Sequence, residues 1–369
     1  MLYEIAKKVL FRLDPEQAHE VTFRGLGAVQ RIPGAVRALN ALFGVNPPPA
    51  LSRTLFGLEF PHPVGLAAGL DKDAAVVPAF TSFGFAFIEV GTVTPKPQPG
   101  NEKPRLFRLV KDEALINRMG FNNRGAEAMA AMLEKSARFR KVPVAVNIGK
   151  NKTTPNDRAA DDYRACVRTL YRHADFFVVN VSSPNTPDLR KLQHGDDLKA
   201  LLAEVREEVR IQAEKTGTNK KAVLVKIAPD LSLPELEQIV DTTMASGVSG
   251  IIATNTTVSR DGATHPLRRE TGGLSGRPLA ERSTEIIRRI YAQTGGRLPI
   301  IGCGGVFTAE DAYEKIRAGA SLVEVYTAFI YRGPGLMREI VGKLPALLER
   351  DGFRHISEAV GTGNRISSS

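Results

Sequence analysis

Residues 142–186 read VPVAVNIGKNKTTPNDRAADDYRACVRTLYRHADFFVVNVSSPNT, and the fold turns on this stretch. It opens on an apolar run, Val142–Ile148, crosses a polar stretch with helical periodicity, Asp157–Arg172, and returns to a second apolar run, Phe176–Val181. Two nearly continuous hydrophobic strands joined through a helix imply a parallel sheet covered by helices. Each strand also ends in polar residues. Asn147-Ile148-Gly149-Lys150-Asn151 follows the first, and Asn180-Val181-Ser182-Ser183-Pro184-Asn185-Thr186 closes the second.

The same rhythm extends in both directions. Apolar runs recur at Val64–Ala68, Phe87–Val90, Ala222–Ile227, Gly250–Thr254, Pro299–Gly302 and Leu322–Tyr326, with helical stretches at Asp197–Lys215, Pro234–Ser246 and Leu279–Thr294. Eight such units predict an α/β fold of the (β/α)8 TIM-barrel type; an open doubly wound sheet is the competitor. The barrel is favoured because polar signatures follow nearly every strand, whereas an open sheet concentrates them at one switch point. Two connections are long: residues 92–121, with Pro95, Pro97, Pro99 and Pro104, and residues 255–278, rich in glycine. Such loops on the catalytic face act as lids or binding walls.

Residues 1–45 differ in character. Leu2, Ile5, Ala6, Val9, Leu10 and Leu13 recur at helical steps. Asp14-Pro15-Glu16-Gln17 then restarts the chain with an N-cap, a first-turn proline and a capping-box candidate. The expectation is a two-helix N-terminal appendage (1–45), a linker at Pro47, Pro48 and Pro49, and a barrel over 46–369.

With 43% hydrophobic and 24% charged residues, the 369-residue chain can bury a large core. No run approaches the ~20 apolar residues of a membrane-crossing helix. Glu4, Lys7 and Lys8 interrupt the N-terminal apolar run, which argues against a secretory signal and for a cytoplasmic protein. Cys166 and Cys303 are too few and too distant for a disulfide framework or a metal site, and are expected to be buried. The net charge of +10 comes without a clustered basic run or nucleic-acid module, so it fits anionic substrates and an anionic membrane surface better than nucleic acid.

The strand ends carry the chemistry. Gly302, Gly304 and Gly305 after strand 7, with Tyr326 and Thr327 opening a short helix after strand 8, suit the phosphate position of barrels. Lys226 sits inside an apolar strand, where an ammonium is costly without a partner. Asn117, Asn147, Asn180, Asn185 and Asn255 all fall at strand ends or in mouth loops. Their paired donors and acceptors suit a cyclic urea or imide edge such as a pyrimidine. No Asp/Glu pair, Ser-His-Asp order or metal cluster competes, and the six histidines read as structural or exposed.

These motifs, above all Asn117-Arg118-Met119-Gly120-Phe121-Asn122 and Asn180–Thr186, resemble the dihydroorotate dehydrogenase family, specifically its membrane-associated, quinone-reducing class, over essentially the whole chain. The resemblance implies that Ala68, Gly69, Leu70, Asp71, Lys72, Thr92, Asn147, Asn180, Lys226, Thr254, Gly276, Gly305, Tyr326 and Thr327 hold FMN. It implies that Lys72, Asn117, Arg118, Met119, Gly120, Phe121, Asn180, Asn185, Asn255 and Thr256 hold dihydroorotate, and that Ser183 is the base. Thr186, or a water near Phe121, would relay the proton, and Arg108 would stand on the quinone side. Serine at 183, where soluble classes carry cysteine, and the N-terminal helices point to the quinone class at the cytoplasmic face of the membrane, peripherally bound, in pyrimidine synthesis. An FMN barrel using oxygen or a nicotinamide, and a non-enzymatic lipid- or nucleic-acid-binding protein, are the alternatives.

Overall fold

A computed structural model describes residues 2–364. Eight parallel strands close a barrel in sequential order: β1 Val64–Leu66, β2 Ile88–Val93, β3 Val144–Ile148, β4 Phe176–Asn180, β5 Ala222–Ile227, β6 Gly250–Ala253, β7 Ile300–Cys303 and β8 Leu322–Val325. Every residue of these strands is buried, which is why they read as continuous apolar runs. Register places Gly91 beside Asn147 and Asn180 beside Lys226, bringing the polar strand ends into one ring.

The core has two layers. Inside the barrel, Phe87, Ala145, Phe176, Val178, Leu224, Ile252 and Ile301 fill the lower half. A hairpin of Arg53–Leu55 and Leu58–Phe60 closes the bottom, with Phe60 edge-on to Phe87 and Phe56 against Phe176. Outside, helices such as Ala159–Leu170, Gly195–Thr216 and Ala280–Thr294 pack apolar faces on the strands. Their starts obey local rules: Ser232 and Glu235 cap Leu233–Ala245 reciprocally, and Thr308 and Asp311 cap Ala309–Ala318.

The two long loops are ordered. They contribute Leu106–Leu109, Ala114–Asn117 and Gly273–Gly276 to a three-stranded antiparallel sheet with Ala114–Asn117 at its centre.

The N-terminal region holds three helices rather than the two expected: α1 Leu2–Leu10, α2 Pro15–Val29 and α3 Ala35–Phe43. Asp14 caps α2 by accepting from the Glu16 and Gln17 N–H groups at 2.9 and 3.2 Å. Gly34, at φ 83°, turns the chain into α3. Helix α3 then packs on Val77–Ser82, with Phe43 edge-on to Phe83.

Candidate active site at the barrel mouth

The C-terminal strand ends open into a cavity of about 590 Å³, within the range of small-molecule sites. Its walls come from all around the ring: Ala68 and Gly69 after β1, Thr92 in β2, Asn180 and Ser183 at and beyond the end of β4, Lys226 in β5, Thr254, Asn255 and Thr256 after β6, Gly304 and Gly305 after β7, and Tyr326 and Thr327 after β8. The loop sheet adds Asn117, Ser275 and Gly276, and the adjoining loop adds Met119, Gly120 and Phe121. Lys72 and Asn185 also border the cavity.

A chain of amide and hydroxyl bonds orders this mouth. Thr92 Oγ1 donates to Asn147 Oδ1 at 2.5 Å, and Asn180 Nδ2 reaches Thr92 Oγ1 at 2.9 Å and Asn147 Oδ1 at 3.1 Å. Asn255 Nδ2 donates to Ser182 Oγ at 2.9 Å, and Asn185 Nδ2 to Asn117 Oδ1 at 3.2 Å. Asn147 itself stands behind the wall, donating from Nδ2 to Glu89 Oε1 at 2.7 Å. Carboxamides held this way present fixed donors and acceptors to a planar polar ring.

Lys226 does not stand alone. Its ammonium lies 2.6 Å from Glu89 Oε2 and 3.3 Å from Glu324 Oε2, all three side chains being at most 6% exposed. Burial alone would lower its pKa; Glu324 and Glu89 outweigh that and raise it. Burial and Glu89 push the Glu324 carboxyl up to about 8, against Lys226. The expected absence of an acidic pair is therefore corrected: Glu89 and Glu324 form one inside the barrel. It is invisible in sequence because the two residues lie on β2 and β8, joined only by closure of the ring.

Ser183 is buried and borders the cavity; its Oγ accepts the Asn185 N–H at 3.2 Å. Among the described residues no imidazole or carboxylate bonds to it. Thr186 is buried nearby in sequence, with its Oγ1 unpartnered. The half-buried Lys72 donates to Asn122 Oδ1 at 2.5 Å, and burial, then Arg105, lowers its pKa to about 8.

Asp71 borders the cavity, while Leu70, Arg118 and Arg108 are not part of its wall. The Asp71 carboxylate accepts the Ala75 and Val76 N–H groups at 2.7 and 2.9 Å, so it shapes its own loop. The Leu70 carbonyl is taken by His19 Nε2 at 2.8 Å. Arg118 turns outward to Glu270 at 2.7 Å and over the Phe107 ring. Arg108 caps the Phe11 ring at 4.1 Å, its Nη1 donating to the Phe11 carbonyl, outside the cavity wall. Gly302 faces Ile287 and Ala320 of the outer layer, so its missing side chain serves packing.

Residues the sequence reading passed over appear on the α2 side. His19, stacked on Phe23 at 4.0 Å, lines the cavity together with Glu16 and Glu20. Glu16 and Arg105 form a buried pair at 2.8 Å, and Arg105 Nη1 also donates to the Pro99 and Asn101 carbonyls at 2.6 and 2.7 Å. This ties α2 to the mouth loop. Only the capped start of α2 hinted at a specific role. Among the described residues, no group of three or more His, Cys, Asp or Glu is arranged for a metal, and Cys166 and Cys303 are buried thiols.

The geometry suits a planar, phosphate-bearing ring ligand. The Gly304 and Gly305 N–H groups donate to no protein acceptor among the described residues, and Glu324 Oε1 is buried without a partner beside the cavity.

Comparison with known proteins agrees. A family model described as dihydroorotate dehydrogenase matches residues 50–348. The chain is 56% identical to a dihydroorotate dehydrogenase (quinone) of Deinococcus radiodurans, over 98% of this chain and all of that one. It is 51% identical to the protein of the same description from an Anaeromyxobacter species, over 98% and 97%. The structure resembles that of DHODH from Eimeria tenella in complex with ferulenol, with TM-score 0.86 and 41% identity over 95% of this chain and 96% of that one. The ligand-free form of that protein gives TM-score 0.87 and 42% identity over 95% and 100%. Fold, mouth geometry and full-length similarity converge: the chain belongs to the dihydroorotate dehydrogenase family.

Proposed function

We propose that the protein oxidises dihydroorotate to orotate in pyrimidine synthesis, holding FMN in the barrel mouth and passing electrons to a membrane quinone. The observation that carries this reading is the single cavity in which carboxamides, a buried serine and unpaired glycine N–H groups face one another. Gly304 and Gly305, with Thr327, would hold the phosphate, and Ala68, Gly69, Thr92, Asn180, Lys226, Thr254, Gly276 and Tyr326 the rest of the cofactor, with Asn147 behind them. Leu70, through its carbonyl, and Asp71, through its carboxylate, act by shaping the loop that borders the cofactor site. When bound, FMN would supply the hydride acceptor for C6 of the substrate.

Asn117, Asn180, Asn185, Asn255 and Thr256 grip the imide edge of dihydroorotate, while Met119, Gly120 and Phe121 close over it. The Lys72 ammonium pairs with the substrate carboxylate. Arg118 supports this loop from outside, through Glu270. Ser183 Oγ takes the C5 proton. Serine is a weak base, so the proton passes onward, and the buried Thr186 hydroxyl is the neighbouring group for that relay.

The quinone reading rests on α1–α3. Ile5, Val9, Val21, Ile32 and Leu42 are all more than half exposed, an apolar display that suits a membrane surface. A groove of about 1370 Å³ between α2–α3 and helix Ala126–Ser136 is lined by Arg24, Arg31, Arg37, Arg124, Lys135, Arg138 and Lys141 and by no carboxylate, matching anionic headgroups. Among the described residues no helix is long and apolar enough to cross a membrane; the exposed apolar residues and the basic groove support peripheral attachment at the cytoplasmic face. The contact of Arg108 with Phe11, just after α1, supports a quinone-side role for this arginine.

Anaerobic addition of dihydroorotate should bleach the flavin absorbance, and a quinone should restore it where NAD does not. A flavin that dihydroorotate leaves oxidised would overturn the reading; reoxidation by NAD would overturn its quinone half.

A further inference from the structure

Three ionisable side chains meet inside the barrel, and the reaction as described uses only one. Glu89 on β2, Lys226 on β5 and Glu324 on β8 have side chains 0, 6 and 0% exposed. Glu89 is fully engaged. Besides Lys226 at 2.6 Å, it accepts the Ala68 N–H at 2.8 Å and Asn147 Nδ2 at 2.7 Å, the surroundings of an ionised carboxylate. Glu324 has the same ammonium at 3.3 Å through Oε2, while Oε1 is buried without a partner and the residue borders the cavity. Two carboxylates thus share one ammonium away from water. Fully ionised, the cluster would carry an uncompensated buried negative charge, which is far costlier than protonating one carboxyl. The contacts decide which one: Glu89 has three donors, Glu324 one.

We propose that Glu324 carries a proton beside the flavin and exchanges it in step with flavin reduction. This rests on the reading above that Lys226 helps to hold the flavin, with the flavin lying over its ammonium. Hydride transfer leaves negative charge on the pyrimidine side of the flavin, and a neighbouring negative charge strengthens a carboxyl's hold on its proton. While Glu324 is protonated in both redox states, reduction takes up two electrons and one proton. In more alkaline solution Glu324 is ionised in the oxidised enzyme. Reduction then draws a second proton from solvent onto its carboxylate, and that proton is released again when two electrons and two protons go to the quinone. Burial and Glu89 place the Glu324 titration near 8 in the ligand-free protein, so the change falls on the alkaline side of neutrality.

Other titratable groups at the cavity stay in place when Glu324 is replaced: burial pushes Asp71 up to about 7 and lowers Lys72 to about 8, and both remain in the Glu324→Gln protein. The Cys303 thiol of β7 and the Tyr326 hydroxyl are both pushed up to about 12 by burial. Lys315, lowered by burial to about 8, is held by Ser283 and Thr284 of the outer helix layer, so its titration persists when Glu324 is replaced.

The test is potentiometric titration of the flavin absorbance in the holoenzyme and in Glu324→Gln across neutral to alkaline pH. The wild type should move from one towards two protons per two electrons, with the variant staying at one. Equal pH dependence in two flavin-loaded proteins overturns the Glu324 assignment alone; a wild type that purifies without flavin overturns the placement beneath it as well. Should Glu324→Gln lose its flavin, reduced-minus-oxidised infrared spectra of the wild type at alkaline pH decide the matter. A protonated-carboxyl band gained on reduction and shifted in D2O supports the assignment, and its absence overturns it.

Discussion

Replacing Lys226 by methionine keeps the volume of the side chain but removes the ammonium between Glu89 and Glu324. At an effective dielectric of about 20, its contacts at 2.6 and 3.3 Å represent about 6 and about 5 kcal/mol of attraction. Desolvation of each ion, several kcal/mol in a buried site, cancels much of this in the intact protein. Deletion of one partner leaves the other charges buried and unpaired, so the holoenzyme should lose about 3–5 kcal/mol of unfolding free energy. The loss should depend on pH. A carboxyl whose folded pKa is raised stabilises the fold below its unfolded value and loses that contribution as pH rises through the folded value. For Glu324 that window runs from the ordinary glutamate value of 4.5 to about 8, and without Lys226 it extends further upward. Urea unfolding followed by circular dichroism in mildly acidic and in alkaline buffer reads both effects, and the deficit should be larger in alkali. A deficit within about 1 kcal/mol at both pH values, no more than an exposed ion pair contributes, would refute the buried cluster.

Ser183→Ala should slow anaerobic flavin reduction by dihydroorotate roughly 10²–10⁴-fold with flavin still bound; a near wild-type rate in stopped flow across pH would exclude serine as the base. Gly305→Ala places a methyl group 2.4 Å from Ala280 Cα at φ 70°, so flavin content after gel filtration should fall, and full retention would show that this turn does not hold the phosphate. Removing residues 1–45 should abolish vesicle binding and quinone reduction while flavin reduction persists; full-rate reduction of a long-chain quinone would reduce the helices to a structural role. Because burial lowers Lys72 to about 8, KM for dihydroorotate should rise as pH passes that value, with the rise absent in Lys72→Ala.

Periodicity and strand-end chemistry in the sequence alone determined the barrel, its eight strands and the polar ring at their C-terminal ends, because each is a local property. A strand buried on both faces must be apolar along its length, and residues just beyond it must face the mouth. The tertiary structure decided what depends on contacts across the ring. Glu89 and Glu324 lie 235 positions apart, and each alone reads as one unremarkable acid within a strand; barrel closure puts both on Lys226. The Glu16–Arg105 pair, which draws α2 and its His19 to the cavity, likewise exists only after the chain has folded back on itself. The outward turn of Arg118 follows from Glu270, a residue of the other long loop, and no spacing rule reaches that far. Even the third N-terminal helix followed from packing: Gly34 permits the turn, but Phe83 on the barrel wall gives α3 the surface that makes a nine-residue helix stable.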